Sequence, residues 1–149
     1  MDYTVFSTEF PDVKVFYNEP LKNYTFTKTG GRAAILIFPK DKKEASAVMH
    51  WLREQNIPTT ILGNASNVII KDGGISGAVI MLNDMSHLTV SDTQIVAEGG
   101  VALIDVSKEA AKNGLTGLEF ACGIPGSVGG AIFMNAGAYG GEVSEVVEY

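Results

Sequence analysis

Two hydrophobic periods alternate along the chain, and each marks an element. Ala33-Ala-Ile-Leu-Ile-Phe38 is a continuous apolar run, the pattern of a buried strand. From Asp41 the period becomes helical, with Ala45, Val48, Met49 and Leu52 on one predicted apolar face. Asp41 is placed to cap this helix, and Glu44, three residues on, completes a box-like pair. The helix reaches about Gln55, and Asn56 and Pro58 stop it. Thr59–Leu62 is the next strand. A strand, a helix and a strand within roughly 30 residues form a βαβ unit, whose strands are parallel and joined by a right-handed crossover. Val68–Ile70 and Ala78–Leu82 read as further strands, separated by Asp72-Gly-Gly74.

After Asn83 the segments shorten. Leu88–Val90 and Ile95–Ala97, with Asp92-Thr93 between them, predict an antiparallel hairpin. Gly99-Gly100 breaks the chain, Leu103–Lys112 reads as a helix, and Asn113-Gly114 ends it. A short helix is predicted over Ser127–Met134, and a strand from Val143 to Tyr149. Residues 1–28 show no period and read as a lead-in, with a turn at Glu19-Pro20 and a tight turn at Thr29–Arg32. The change of pattern divides the chain into two lobes of an α+β protein, residues 1–83 and 84–149.

The glycines add the chemistry. Seven of the 17 fall between Gly123 and Glu142. Glycine is needed where backbone approaches something closely or takes φ > 0. Such stretches are also ordinary turns. This one carries Val128, Ala131, Ile132 and Phe133 rather than the polar residues of a linker, so it is packed. A second loop, Gly63-Asn-Ala-Ser-Asn67, follows an apolar strand. It therefore sits at the carboxyl end of a parallel sheet, where open α/β sheets bind ligands. Two such loops read as two walls of one long ligand, with peptide N–H groups facing a phosphate or a flat ring.

Composition excludes several alternatives. The net charge of −6, with no Lys/Arg cluster, argues against nucleic acid. No apolar run is long enough to span a bilayer, and the N-terminus lacks the basic and apolar regions of a signal peptide. A single cysteine, Cys122, rules out an internal disulfide and fits a reducing cytoplasm. Beside Gly123 it is either a nucleophile or a small buried packing residue, the commoner state of a free cysteine. His50 and His87 have no ligands at metal spacing, so no metal site is expected. The Gly-x-x-x-x-Gly-Lys and Gly-x-Gly-x-x-Gly nucleotide signatures are absent. Arg32 either meets a phosphate or is solvated. Tyr139 stacks on a ring or fills core, with core the default.

Asn23–Ala33, Leu62–Asn67, Asp72–Gly77, Gly117–Ala131 and Met134–Tyr139, in that order, resemble the UDP-N-acetylenolpyruvylglucosamine reductase family. The resemblance runs from about Val13 onward. It implies a two-lobed FAD-binding module of the vanillyl-alcohol-oxidase type, with FAD held non-covalently. It implies that Gly63, Asn64, Ala65, Ser66, Asn67 and Val68 wrap the cofactor's pyrophosphate. Gly123, Ile124, Pro125, Gly126, Ser127, Gly129, Gly130 and Ala131 would lie along its other side. Asn135, Gly137 and Tyr139 would line the region where flavin and substrate approach. The implied reaction is peptidoglycan precursor synthesis in the cytoplasm. NADPH reduces FAD, and the flavin reduces the enolpyruvyl group of a UDP-sugar. The loops hold no basic residue, which assigns the pyrophosphate to peptide N–H groups and the Ser66 hydroxyl; Lys71 is the nearest cation in sequence.

Two departures stand out. Ala65 occupies a position where the family usually has glycine. Relatives run to about twice this length, and their catalytic arginine, serine and glutamate map to none of these 149 residues. The expectation is a cofactor-binding portion without catalytic residues and without the substrate domain. Two alternatives remain. One is a non-catalytic FAD- or nucleotide-binding module. The other is a different flavin oxidoreductase of the same fold, such as a hydroxy-acid oxidase.

Overall fold

The structure is a computed structural model that describes residues 3–148. Its centre is a four-stranded sheet in the order β1-β2-β4-β3. β1 (Lys14–Pro20) runs antiparallel to β2 (Arg32–Phe38). β2, β4 (Ile75–Met81) and β3 (Thr59–Leu62) are parallel. The expected βαβ unit is present, but its two strands are not neighbours, because β4 enters between them.

Both faces of β2 and β4 are buried, which explains their unbroken apolar runs. Ile35, Ile37, Ala78 and Ile80 pack with Val48, Leu52, Ile57 and Phe6 on one face. Leu36, Phe38, Val79 and Met81 pack with Leu21, Leu62 and Ile70 on the other. Each such large side chain contributes roughly 1.5–3 kcal/mol by leaving water. A register shift between Ala33 and Ile35 turns Ala33 to the second face, as a bulge does.

α2 (Lys42–Glu54) covers the first face. The Asp41 carboxylate accepts the Glu44 N–H at 2.8 Å, and the Glu44 carboxylate accepts the Lys40 N–H at 3.0 Å. Val48 and Leu52 are buried, but Met49 is 45% exposed, so the buried stripe is narrower than the spacing suggested.

The second unit begins with the hairpin β5 (Leu88–Ser91) and β6 (Gln94–Ala97). α3 (Leu103–Lys112), a 3-10 turn over Glu119–Gly123 and α4 (Val128–Met134) follow. Leu103, Phe120, Ala121, Ala131 and Val143 form its core. The two-residue strands β7 (Gly137–Ala138) and β8 (Gly141–Glu142) close a small hairpin.

The structure corrects several readings of the pattern. The lead-in contains α1 (Val5–Glu9) and the whole of β1. β1 is an edge strand with mostly exposed residues and no clean alternation, so no period marks it. Glu19 and Pro20 end that strand, and the turn comes after them, at Leu21–Asn23. The tight turn expected at Thr29–Arg32 lies earlier, where the Lys28 N–H meets the Thr25 carbonyl at 3.2 Å. Val68–Ile70 is not a strand; Ile69 is exposed, Ile70 is buried in the core and Val68 packs half-buried against it. Val143–Glu145 is a 3-10 turn rather than a strand, set by a capping box between Glu142 and Glu145. Tyr149, at the end of that expected strand, lies outside the described residues.

Candidate functional site

β3 delivers the chain into the loop Gly63–Val68. Ala65 there is left-handed, at φ 51°. It is buried, and its carbonyl accepts the Phe26 N–H at 3.2 Å. A left-handed residue in such a turn aims successive peptide N–H groups the same way, making a concavity for an anion. Among the described residues, the amides of Asn64, Ala65, Ser66, Asn67 and Val68 donate to no protein acceptor. The Ser66 hydroxyl is likewise unengaged by protein. Ala65 thus occupies a conformation that glycine adopts without strain.

The second wall is positioned by the segment preceding α3. Gly129 N–H donates to the Gly99 carbonyl at 2.9 Å, Val128 N–H to the Val101 carbonyl at 2.8 Å, and Leu103 N–H to the Gly126 carbonyl at 2.8 Å. Ser127 is buried and caps α4, accepting the Gly130 N–H at 3.3 Å. Gly129 does sit in a close approach, but to the chain itself: a Cβ there would stand 3.1 Å from the Gly99 carbonyl oxygen. Gly123 is different. A Cβ on it would meet nothing within 4 Å, so the space beside it is open.

The two walls touch. The Asn64 side-chain amide donates to the Pro125 carbonyl at 3.0 Å. A Cβ on Gly63 would collide with Ser127. The structure therefore brings Gly63–Val68 together with Pro125–Gly130.

Asn135, Gly137 and Tyr139 stand at the other end of α4, about 10 Å along its axis. Asn135 is the left-handed C-cap, φ 45°, and its side-chain oxygen accepts the Ser144 N–H at 2.9 Å. The Ser144 hydroxyl donates to Glu142 at 2.6 Å. That bond, and then the contact with Asn135, hold the Glu142 carboxyl below its ordinary range. Tyr139 is not core: it lies at the hairpin tip, 94% exposed, with φ 54°. Phe133 on α4 is 87% exposed. Gly137 is where the hairpin strands meet; a Cβ there would be 2.8 Å from the Gly141 carbonyl oxygen.

Other expectations are corrected or resolved. Cys122 is exposed, not packed beneath the glycines. Arg32 donates to the Asn18 carbonyl and lines a polar cavity of about 670 Å³ with Lys22 and Asp72. That cavity lies at the amino ends of β2 and β4, and no residue of the Gly63–Val68 loop lines it. Two supports carry no role in the sequence pattern: Gly99–Val101, which holds the first turn of α4, and Thr25–Gly31, which is marked only as part of the Asn23–Ala33 resemblance and lies against the first loop. Glycine at 99 was visible only as a chain break.

The open glycine face and the row of undonated amides fit an extended dinucleotide whose diphosphate needs donors and whose rings need a flat wall. Residues 33–149 match the FAD binding domain family, and the chain belongs to it. It is similar to the UDP-N-acetylenolpyruvoylglucosamine reductase of Staphylococcus aureus, 52% identical over 99% of this chain and 48% of that protein. The chain thus spans about half the length of the curated relatives it matches.

Among solved structures it resembles the corresponding reductase from Thermus caldophilus, at TM-score 0.68 and 34% identity, covering 87% of this chain and 44% of that one. An alkyldihydroxyacetonephosphate synthase matches at TM-score 0.71 and 15% identity, over 97% of this chain and 35% of that one. That likeness is one of fold, the vanillyl-alcohol-oxidase type, and it bears out the expected α+β class.

Proposed function

We propose that the chain binds FAD non-covalently between two lobes, 1–83 and 84–149. It would be the cofactor-binding part of an NADPH-dependent reductase that converts UDP-N-acetylglucosamine enolpyruvate to UDP-N-acetylmuramate. The similarity to the UDP-N-acetylenolpyruvoylglucosamine reductases of S. aureus and T. caldophilus and the shared FAD binding domain support this reading. The observation that carries the cofactor assignment is the run of five amides, Asn64 to Val68, without protein acceptors. The diphosphate would lie on them with the Ser66 hydroxyl, and the remainder of the cofactor would extend along Gly123–Ala131. Asn135, Gly137 and Tyr139 would border the flavin's exposed side. Bound FAD supplies the hydride-transfer chemistry, and the protein supplies orientation and electrostatics.

The 149 residues alone would not complete the reduction. Hydride addition to an enolpyruvyl ether needs a proton donor in reach and fixed donors for the developing charge. Glu142 is held ionised by the Ser144 hydroxyl, which unsuits it as an acid. Glu119 accepts the Gly117 N–H at 2.8 Å. The reading of a non-catalytic FAD module is therefore kept for this chain by itself.

The test has two stages. FAD titration with flavin fluorescence as the signal should show saturable quenching. NADPH oxidation with the UDP-sugar, beside the S. aureus relative, should then be undetectable even with FAD bound. Loss of a general acid alone costs about 10²–10⁴ in rate. Turnover within about a hundredfold of the relative would place a proton donor inside these residues.

A further inference from the structure

We infer that Lys28 is the cation of the diphosphate site, presented by a third segment that belongs to neither glycine-rich loop. This rests on the flavin reading above and deepens it. The segment runs beside the first loop and is tied to it at two points. Phe26 N–H donates to the Ala65 carbonyl at 3.2 Å. Four residues on, Gly30 packs so closely on Ile70 that a Cβ would stand 3.0 Å from the isoleucine Cβ. Lys28 lies midway in sequence between these ties, in the segment held against the loop that carries the unengaged amides.

The segment is built to hold that residue in place. Thr25 is buried, and its hydroxyl donates to the Thr29 carbonyl at 2.7 Å. The Lys28 N–H closes a turn on the Thr25 carbonyl at 3.2 Å, and the Thr27 and Thr29 hydroxyls pair at 2.8 Å. Within this turn Lys28 itself is left-handed, at φ 57°. A lysine in that region is an unusual choice, and such outliers persist where the surroundings over-determine them.

The chemistry asks for a cation there. A diphosphate carries two negative charges, and a protein of net charge −6 gives it no long-range attraction. Neither glycine-rich loop contains Lys or Arg. Lys14, Lys40, Lys108 and Lys112 are spent on carboxylates. Lys28 is exposed, and among the described residues it has no carboxylate partner. Lys71 also lacks one, but its carbonyl accepts the Gly31 and Gly74 amides beyond the loop's far end. Arg32 and Lys22 line the cavity at the amino ends of the strands.

The experiment measures FAD and riboflavin binding to the 149-residue chain and to Lys28→Ala, Lys28→Arg, Lys28→Glu and Lys71→Ala. Riboflavin has the ring system without phosphate. Ionic strengths of about 0.01 M and 0.15 M shorten the screening length from about 30 Å to 8 Å. Lys28→Ala should weaken FAD about tenfold at the lower ionic strength, and Lys28→Glu more. Lys28→Arg should stay within about threefold, and the gap between parent and Lys28→Ala should narrow at 0.15 M. Riboflavin affinity should not move, nor should the thermal midpoint of the flavin-free protein. Parental FAD affinity in Lys28→Ala would overturn the inference. So would an equal loss of riboflavin, which marks a packing role, or a loss that appears in Lys71→Ala instead. A parent chain that binds neither FAD nor riboflavin would overturn the flavin reading itself, and Lys28 with it.

Discussion

Gly63 and Ser127 meet so closely that a Cβ on the glycine would stand 1.9 Å from the serine hydroxyl oxygen and 3.0 Å from its Cβ. This contact joins the loop after β3 to the cap of α4. It explains a glycine that has no positive φ. Gly63→Ala should cost about 1–3 kcal/mol as an overpacked site, measured by urea unfolding, and should weaken FAD in parallel. Ser127→Ala alone should cost about 1 kcal/mol through the lost cap. In the double variant the two costs should add to less than their sum, by roughly 0.5–3 kcal/mol. Strict additivity would show that the loops are not in contact.

Ala65 tests the strain in the same loop. Ala65→Gly relieves the left-handed penalty but adds chain entropy and removes a buried methyl, so stability should stay within about 1 kcal/mol. Ala65→Val puts a β-branched side chain at φ 51° in a buried position. It should lose at least about 2 kcal/mol. Thermal unfolding of the flavin-free pair decides this; equal midpoints would refute the left-handed assignment.

Gly129 belongs to the stretch expected to lie along the cofactor, and within the protein its close neighbour is Gly99, with the carbonyl oxygen 3.1 Å from a hypothetical Cβ. Gly129→Val should therefore lower the thermal midpoint of the flavin-free protein, by several degrees for a cost of about 1–3 kcal/mol. An unchanged midpoint with lost flavin would restore the ligand explanation.

Ser66 makes the opposite case. Among the described residues its hydroxyl has no protein partner, so Ser66→Ala should leave the unfolding transition of the flavin-free protein in place. FAD should bind about tenfold more weakly, the size of one hydrogen bond to a charged group. A loss of stability matching the loss of affinity would assign Ser66 to the scaffold.

Strong periodicity made much of the fold legible. β2, α2, β3, the β5–β6 hairpin, α3 and α4 all stand where apolar spacing and capping residues put them. β1 was not legible, because an exposed edge strand has one partner and few buried positions to mark its period. Val68–Ile70 misled for the reverse reason: three apolar residues look like a strand, yet here they carry the chain along the sheet face without a partner. In the site, glycine density marked the two loops but not their supports. Gly99–Val101 acts through backbone bonds, which leave no side-chain signature, and the bond that ties Thr25–Gly31 to the first loop is likewise a backbone one, from Phe26 N–H to the Ala65 carbonyl. The conformation at Ala65 was masked by the residue itself, since alanine does not advertise a positive φ.

β4 is the last strand of the sheet in sequence, yet it lies between β2 and β3. Among the described residues β3 pairs with no other strand, so its ladder is made with β4 alone. The intervening segment, from Gly63 to Gly74, is then closed at both ends by one ladder. The row of amides thus depends on the same ladder that completes the central sheet. Occupancy of the loop by a ligand would report on, and reinforce, the cooperative unit of the first lobe rather than a local adornment at its rim.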